Sequence, residues 1–204
     1  MRNEDGLWDR SRRAVYAEIT RVAMELFLDQ GFAETTIDQI ASRAGISRRS
    51  FFRYFGTKED IVLGDLVDQG ALVRAALEAI PLSVPPWQAL QEALWEVDRR
   101  SGAHDTALKT ARMMYETPSL RARSIEKHLR WQELLVPNIR QRLGIDPDDE
   151  SDPAADAIVA SAIACLDVAG QIWARSNGSV DLEEMYRKAA DAVQARTHYP
   201  DQRD

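Results

Sequence analysis

The 204-residue chain carries 33 acidic and 26 basic residues, a formal charge of −7, and 45% hydrophobic residues. That balance excludes a disordered polymer and a membrane-embedded bundle, and it leaves room for one sizeable core or two small ones. The lone cysteine, Cys165, excludes an internal disulfide and is expected to be a packed thiol. No run approaches about 18 consecutive apolar residues, and the amino terminus is polar where a signal peptide needs an apolar segment, so the expected location is the cytoplasm.

In chain order, the periodicity predicts a first helix over residues 12–30, with Val15, Ile19, Val22, Ala23, Leu26 and Phe27 on its buried side and Gly31 as its stop. Arg10, Arg12 and Arg13 sit in a charged arm that fits a solvated terminus and a DNA contact equally well. Ile37, Ile40, Ala41 and Ala44 recur at three and four residues and predict a short second helix. Gly45 ends it and turns the chain, and Ile46 folds back as the accompanying hydrophobic contact. Ser47 opens a third helix by accepting from an unpaired amide. There Phe51 and Phe55 point inward, leaving Arg48, Arg49, Ser50, Phe52, Arg53 and Tyr54 outward, a surface suited to phosphates and base edges. Between Thr36 and Phe55 stand four arginines and one acid, Asp38, in a chain that is acidic overall.

Gly56 breaks the chain again, and Thr57 with Asp60 forms a capping-box-like start three residues apart. The fourth helix, to about residue 79, carries Ile61, Leu63, Leu66, Val67, Ala71, Val73 and Leu77. That apolar surface is too broad for one neighbour and reads as a connecting rod. Pro81, Pro85 and Pro86 mark a boundary. A helix from Trp87 holds Leu90, Leu94 and Val97 before Ser101 and Gly102 interrupt it. The next holds Leu108, Ala111, Met114 and Tyr115 up to Thr117. A long segment from Pro118 keeps helical spacing through Ile125, Leu129, Trp131, Leu134, Leu135, Ile139 and Leu143, with a kink expected at Pro137 and a stop at Gly144. Residues 145–153 are an acidic loop that lacks the central glycine and closing glutamate of a calcium loop, and so read as a linker, not a metal site. Residues 153–175 then form a helix that is small or apolar on most sides and hence buried on most sides. The last helix has a narrow stripe of Leu182, Met185, Tyr186, Ala189, Ala190 and Val193. Together this pair offers more apolar surface than the short helices before it can cover.

Residues 23–59 hold further motifs in order: AMELFLDQGF over residues 23–32, the pair Thr35 and Thr36, IASRAGIS, an aromatic run ending in Tyr54 and Phe55, then Lys58 and Glu59. This run resembles the operator-binding module of the tetracycline-repressor (TetR) family of bacterial transcription regulators. It departs from many members in carrying Phe52 where they have tyrosine. The resemblance implies an all-α fold of about nine helices, with a three-helix helix-turn-helix domain over 1–57 and a ligand-binding and dimerisation domain over 58–204. It implies a homodimer through the last two helices, double-stranded operator DNA as partner, and release by an apolar or acyl-bearing small molecule. No cofactor, metal or membrane is expected. Charge is divided accordingly: nine basic residues against eight acidic in 1–57, seventeen against twenty-five in the remainder.

The expected DNA-contacting residues are Thr36, Ser47, Arg48, Arg49, Ser50, Phe52, Tyr54 and Lys58, with Arg48 and Arg49 on phosphates and guanine edges, and Thr36 and Lys58 fixing register on phosphates. The expected ligand-contacting residues are Trp95, Met113, Met114, Trp131, Leu135 and Gln171. Arg112, His128 and Arg130 could meet a carboxylate or phosphate, or lie on the surface. His104, His128 and His198 lack metal-ligand spacing, and no nucleophile elbow or phosphate-binding glycine loop is present, so catalysis is not expected. The alternative to a DNA-binding regulator is a helical ligand-binding or scaffold protein whose turn motif serves another protein.

Overall fold

A computed structural model describes residues 7–100, 104–149 and 151–195. Ser101, Gly102 and His198 lie outside them. Among the described residues there are nine helices and no strand: α1 (Leu7–Gln30), α2 (Ile37–Arg43), α3 (Arg48–Phe51), α4 (Glu59–Ala79), α5 (Pro86–Arg100), α6 (His104–Glu116), α7 (Pro118–Leu143), α8 (Ala154–Arg175) and α9 (Leu182–Gln194). α1 starts five residues before the predicted position. α7 runs unbroken through Pro137.

The chain divides into two compact units, Met1–Leu66 with Met113–Ile125 and Val67–Arg112 with Glu126–Asp204. A single break after residue 57 was the expectation. The difference has a packing cause: Ile61, Val62 and Leu63 of α4, and Leu120 of α7, are buried in the same core as α1 to α3.

In the first unit, Ile19, Ala23, Phe27, Ile40, Phe51 and Phe55 close around one another, with Tyr16 stacked on Phe55 at 4.6 Å between ring centroids. The start of α4 is held as its sequence implied. Thr57 N–H donates to Asp60 Oδ2 at 2.9 Å, and Asp60 N–H donates to Thr57 Oγ1 at 3.3 Å. Arg123 Nη2 donates to the other Asp60 oxygen at 3.1 Å. Burial pushes the Asp60 carboxyl up, but the Thr57 amide and the Arg123 guanidinium more than offset it and hold it below its ordinary value.

In the second unit, Leu90 and Ala93 of α5, Leu135 and Ile139 of α7, Val159 and Ala169 of α8 and Tyr186 of α9 form the core. α8 is apolar enough in length and composition to cross a membrane, with a mean hydropathy of 1.7 over its most apolar window. Its Ala155, Val159, Ala162, Ile163, Cys165 and Ala169 are instead buried against neighbouring helices, as a core helix requires. Burial also pushes the Cys165 thiol up, away from the reactive thiolate. Arg142 braces the end of α4 and the turn after it: its guanidinium donates to the carbonyl oxygens of Leu77, Ile80 and Pro81 at 2.8, 2.8 and 2.6 Å. The acidic loop is tied down by Arg140, which donates to Pro147 O at 3.1 Å and to Asp156 at 3.0 Å.

Candidate nucleic-acid interface

The α2–turn–α3 segment is built almost wholly by contacts between near neighbours. Thr36 caps α2 in a full capping box: Gln39 N–H donates to Thr36 Oγ1 at 3.2 Å, and Thr36 N–H donates to Gln39 Oε1 at 2.8 Å. At the other end, Ile46 N–H donates to Ala41 O at 2.9 Å and Gly45 N–H to Ser42 O at 3.2 Å, the paired bonds of a Schellman stop. Gly45 sits at φ +67°, where a side chain would be strained. Ser47 then caps α3, accepting from Ser50 N–H at 3.1 Å. α3 is shorter than the sequence suggests. Its α-helical part is Arg48–Phe51, after which Arg53 N–H and Tyr54 N–H turn back to Ser50 O and Phe51 O at 3.1 and 2.9 Å.

The cations divide into occupied and open ones. Arg48 Nη1 donates to both oxygens of Asp38 at 2.9 and 3.1 Å, and its guanidinium carbon lies 5.8 Å from the Phe52 ring centroid. Arg43, Arg49 and Arg53 are exposed and have no side-chain hydrogen-bond or ionic partner among the described residues. Arg49 lies on α3 and Arg53 in the turn that follows it, so both stand on the same short exposed segment, where a polyanion can meet them.

Lys58 is placed differently from its expected role. Its Nζ donates to the carbonyl oxygens of Phe32 and Thr35 at 2.7 and 3.1 Å, approaches Ala33 O at 3.4 Å, and lies 4.4 Å from the Phe32 ring centroid. An ammonium has three donors, and here they clamp the turn between α1 and α2. A phosphate contact would have to displace those carbonyls.

Thr36 and Ser47 are exposed, with their hydroxyls engaged in capping. Ser50 is half-buried and its hydroxyl pairs with that of Ser47 at 2.9 Å. Phe52 is 46% exposed, a large apolar side chain left to solvent. Tyr54 is half-buried against the first core. Arg43 and Arg53 are absent from the expected contacts, although the sequence already places Arg53 on the outward face beside Arg49.

The six expected ligand contacts do not come together. Trp95 of α5 and Trp131 of α7 line one cavity of about 80 Å³, together with Gln69 and Val73 of α4, Leu94 of α5 and Leu166 of α8. Leu135 is fully buried in the second core, and Gln171 is half-buried on α8. Met113 and Met114 pack against the first unit's core. Arg112 donates to Asn177 Oδ1 at 3.1 Å, and Arg130 is exposed. His128 sits edge-on to Trp131 at 5.9 Å, where burial pulls its pKa below 6.5 against the opposing pull of Asp167.

Comparison with known proteins converges on this geometry. Residues 19–64 match the bacterial regulatory proteins of the tetR family, and residues 84–198 match the MftR C-terminal domain. The TcmR transcriptional regulator of Streptomyces glaucescens is 35% identical over 160 residues, which are 74% of this chain and 70% of that protein. The chain belongs to the TetR family of bacterial transcriptional regulators.

Other TetR relatives extend the likeness over nearly the whole length. The MftR regulator of Mycobacterium tuberculosis is 29% identical over 187 residues, 91% of this chain and 92% of that one. The FadR repressor of Thermus thermophilus, solved with lauroyl-CoA, shares the fold at a TM-score of 0.58, with 23% identity over 87% of this chain and 92% of that one. FadR of Bacillus halodurans shares it at 0.61, with 16% identity over 90% and 96%. As a TetR-family member the chain is a DNA-binding transcriptional regulator, not an enzyme.

Proposed function

We propose that the chain acts in the cytoplasm as a homodimeric repressor that reads a palindromic operator through α3 and leaves it when a small, largely apolar molecule binds the second unit. The observation that carries the reading is the pair Arg49, on α3, and Arg53, in the turn just after it, both exposed and with no side-chain partner among the described residues. Arg49 addresses guanine edges from the start of the helix, Arg43 and Arg53 supply phosphate contacts, and Phe52 meets a thymine methyl group. Arg48 joins them when the DNA competes with Asp38.

Pairing rests on α8 and α9. While one side of α8 is buried, Val168 and Ile172 on another side are 48% and 39% exposed, and Val193 of α9 is 56% exposed. With Ala164, also exposed, they leave an apolar stripe that a second copy would cover. A two-fold dimer sets its two α3 helices one DNA turn apart, ~34–36 Å. Residues 1–57 then serve as the DNA-binding domain and 58–204, which opens with α4, as the ligand-binding and dimerisation domain.

Fluorescence anisotropy on DNA from upstream of the chain's own gene tests this. The expected result is salt-sensitive binding that Arg49→Ala weakens by about 1–3 kcal/mol with relaxed base preference. Absence of salt-sensitive binding to any fragment would favour the scaffold reading instead.

A further inference from the structure

The turn that joins α3 to α4 is held by a side chain from much later in the chain. One oxygen of Asp60, Oδ2, accepts from Thr57 N–H at 2.9 Å and fills the space beside Gly56, where a Cβ would lie 3.1 Å from it. The other, Oδ1, accepts from Arg123 Nη2 at 3.1 Å. With both oxygens engaged, Asp60 cannot turn without losing one of these bonds. Arg123 is delivered by α7. Leu120, three residues before it and so on the same side of the helix, is fully buried in the first unit's core. Met113 and Met114, near the end of α6, pack against that core too. Met113–Ile125 thus belongs to the compact unit that reads DNA, although most of α6 and α7 does not.

The turn over residues 56–60 bears on both ends of the reading segment. At one end it follows directly on Arg53, Tyr54 and Phe55, so its conformation sets where the exposed Arg53 leaves the chain. At the other, Lys58 within the turn donates to the carbonyl oxygens of Phe32 and Thr35, immediately before Thr36, the cap of α2. Hydrogen bonds to base edges need donor–acceptor distances of about 2.7–3.2 Å, whereas attraction to phosphates tolerates a looser fit. A small displacement of the turn would therefore cost sequence reading first. The Asp60–Arg123 pair, with 28% and 41% of its side-chain surfaces exposed, is too open to solvent to contribute much stability by charge alone. Its contribution is geometric. Resting on the DNA-reading role above, we propose that Arg123 is a positioning residue for operator recognition: through Asp60 it fixes the 56–60 turn, and with it the placement of α2 and α3 against base edges.

The test uses the full-length protein, the duplex that the wild type selects from a random-sequence pool, and a scrambled duplex of the same composition. Arg123→Met removes a positive charge and Asp60→Asn a negative one. Both variants should nevertheless weaken binding to the selected duplex by about tenfold, the low end for one misplaced base contact. Affinity for the scrambled duplex should change less than about threefold. The double variant should be no weaker than either single one, and Arg123→Lys should recover part of the loss. Exchange of the Thr57 amide hydrogen, whose bond to Asp60 the pair secures, should quicken in Arg123→Met. Opposite shifts in the two single variants would show that only charge matters, and equal losses on both duplexes would show a general loss of folded protein. Either result, unchanged binding to the selected duplex, or an unchanged Thr57 amide would overturn the assignment. A wild type that selects no duplex would remove operator reading itself, whereas a failure confined to the variants removes only the role of Arg123.

Discussion

The α2–α3 surface and the Trp95 cavity are built on opposite plans. On the surface, the structuring contacts join Thr36 to Gln39, Ser47 to Ser50 and Arg48 to Asp38, partners at most ten residues apart. The cavity draws one wall each from Gln69, Trp95, Trp131 and Leu166 on four helices. A locally encoded site can be held by capping and one glycine in the left-handed region. A cavity assembled from distant segments depends on side-chain volumes fitting to a fraction of an ångström.

Two glycine substitutions set these plans against each other, and they carry the largest expected effect. Gly70→Ala should destabilise by about 2–3 kcal/mol, the upper part of the overpacking range, because the new methyl meets the rigid Trp131 ring. Inside a helix with open space the same change would stabilise by about 1 kcal/mol, so even the sign is diagnostic. Gly45→Ala meets nothing within 4 Å, and should cost only about 1 kcal/mol of backbone strain at its positive φ. Urea denaturation of the two variants measures both. A stabilised Gly70→Ala protein would mean that the Trp131 ring is free to retreat.

Lys58→Met sharpens the comparison at a place where the DNA-binding unit relies on distant partners. Loss of the clamp on the Phe32 and Thr35 carbonyls should cost about 1–2 kcal/mol of stability. The salt dependence of DNA binding should stay unchanged. If Lys58 were instead a phosphate contact, the slope of log affinity against log salt would flatten by about one and stability would hardly move.

The same division explains what was legible in the sequence. Gly31, Gly45 and Gly144 stop helices where expected because a left-handed residue after an apolar stripe is a local signal. The caps at Ser47 and Thr57 are three-residue patterns and came through for the same reason. Lys58 did not, since its carbonyl partners lie 23 to 26 positions away and a lysine's reach is invisible in one dimension. Nor did the Asp38–Arg48 pair, which depends on how the turn brings two helix starts together. Met113 and Met114 were grouped with Trp95 and Trp131 by residue type, which says nothing about which core a helix end enters.

A smaller effect tests the second unit through pH. His128 is held neutral by burial, with Asp167 as the opposing charge, so its folded pKa lies below the ordinary 6.5. A lowered folded value means that the neutral form is the stable one: the contribution is complete above pH 6.5 and is lost as pH falls through the folded value. The stability of wild type should therefore decline on acidification in that window, and His128→Gln should flatten the decline. A decline of equal depth in the variant would assign the acid sensitivity to other groups.

The smallest effect on stability belongs to Asp38→Asn. Both partners of its ion pair with Arg48 are well exposed, at 60% and 65% of their side-chain surface, and such pairs contribute only about 0–1 kcal/mol. Its effect on recognition should be larger. Asp38 is the lone acid among the four arginines of this surface, so it repels phosphates and occupies a guanidinium that would otherwise meet them. Removing its charge should raise affinity for unrelated DNA about fivefold and steepen the salt dependence, while affinity for the operator rises less. The ratio between the two would then fall. On that account Asp38 keeps Arg48 from binding phosphate indiscriminately, so that Arg48 is released only where the remaining contacts compensate for breaking the pair. Equal gains on operator and unrelated sequence would show the pair to be a bystander, and a loss on both would show that Asp38 instead holds Arg48 in its DNA-binding pose.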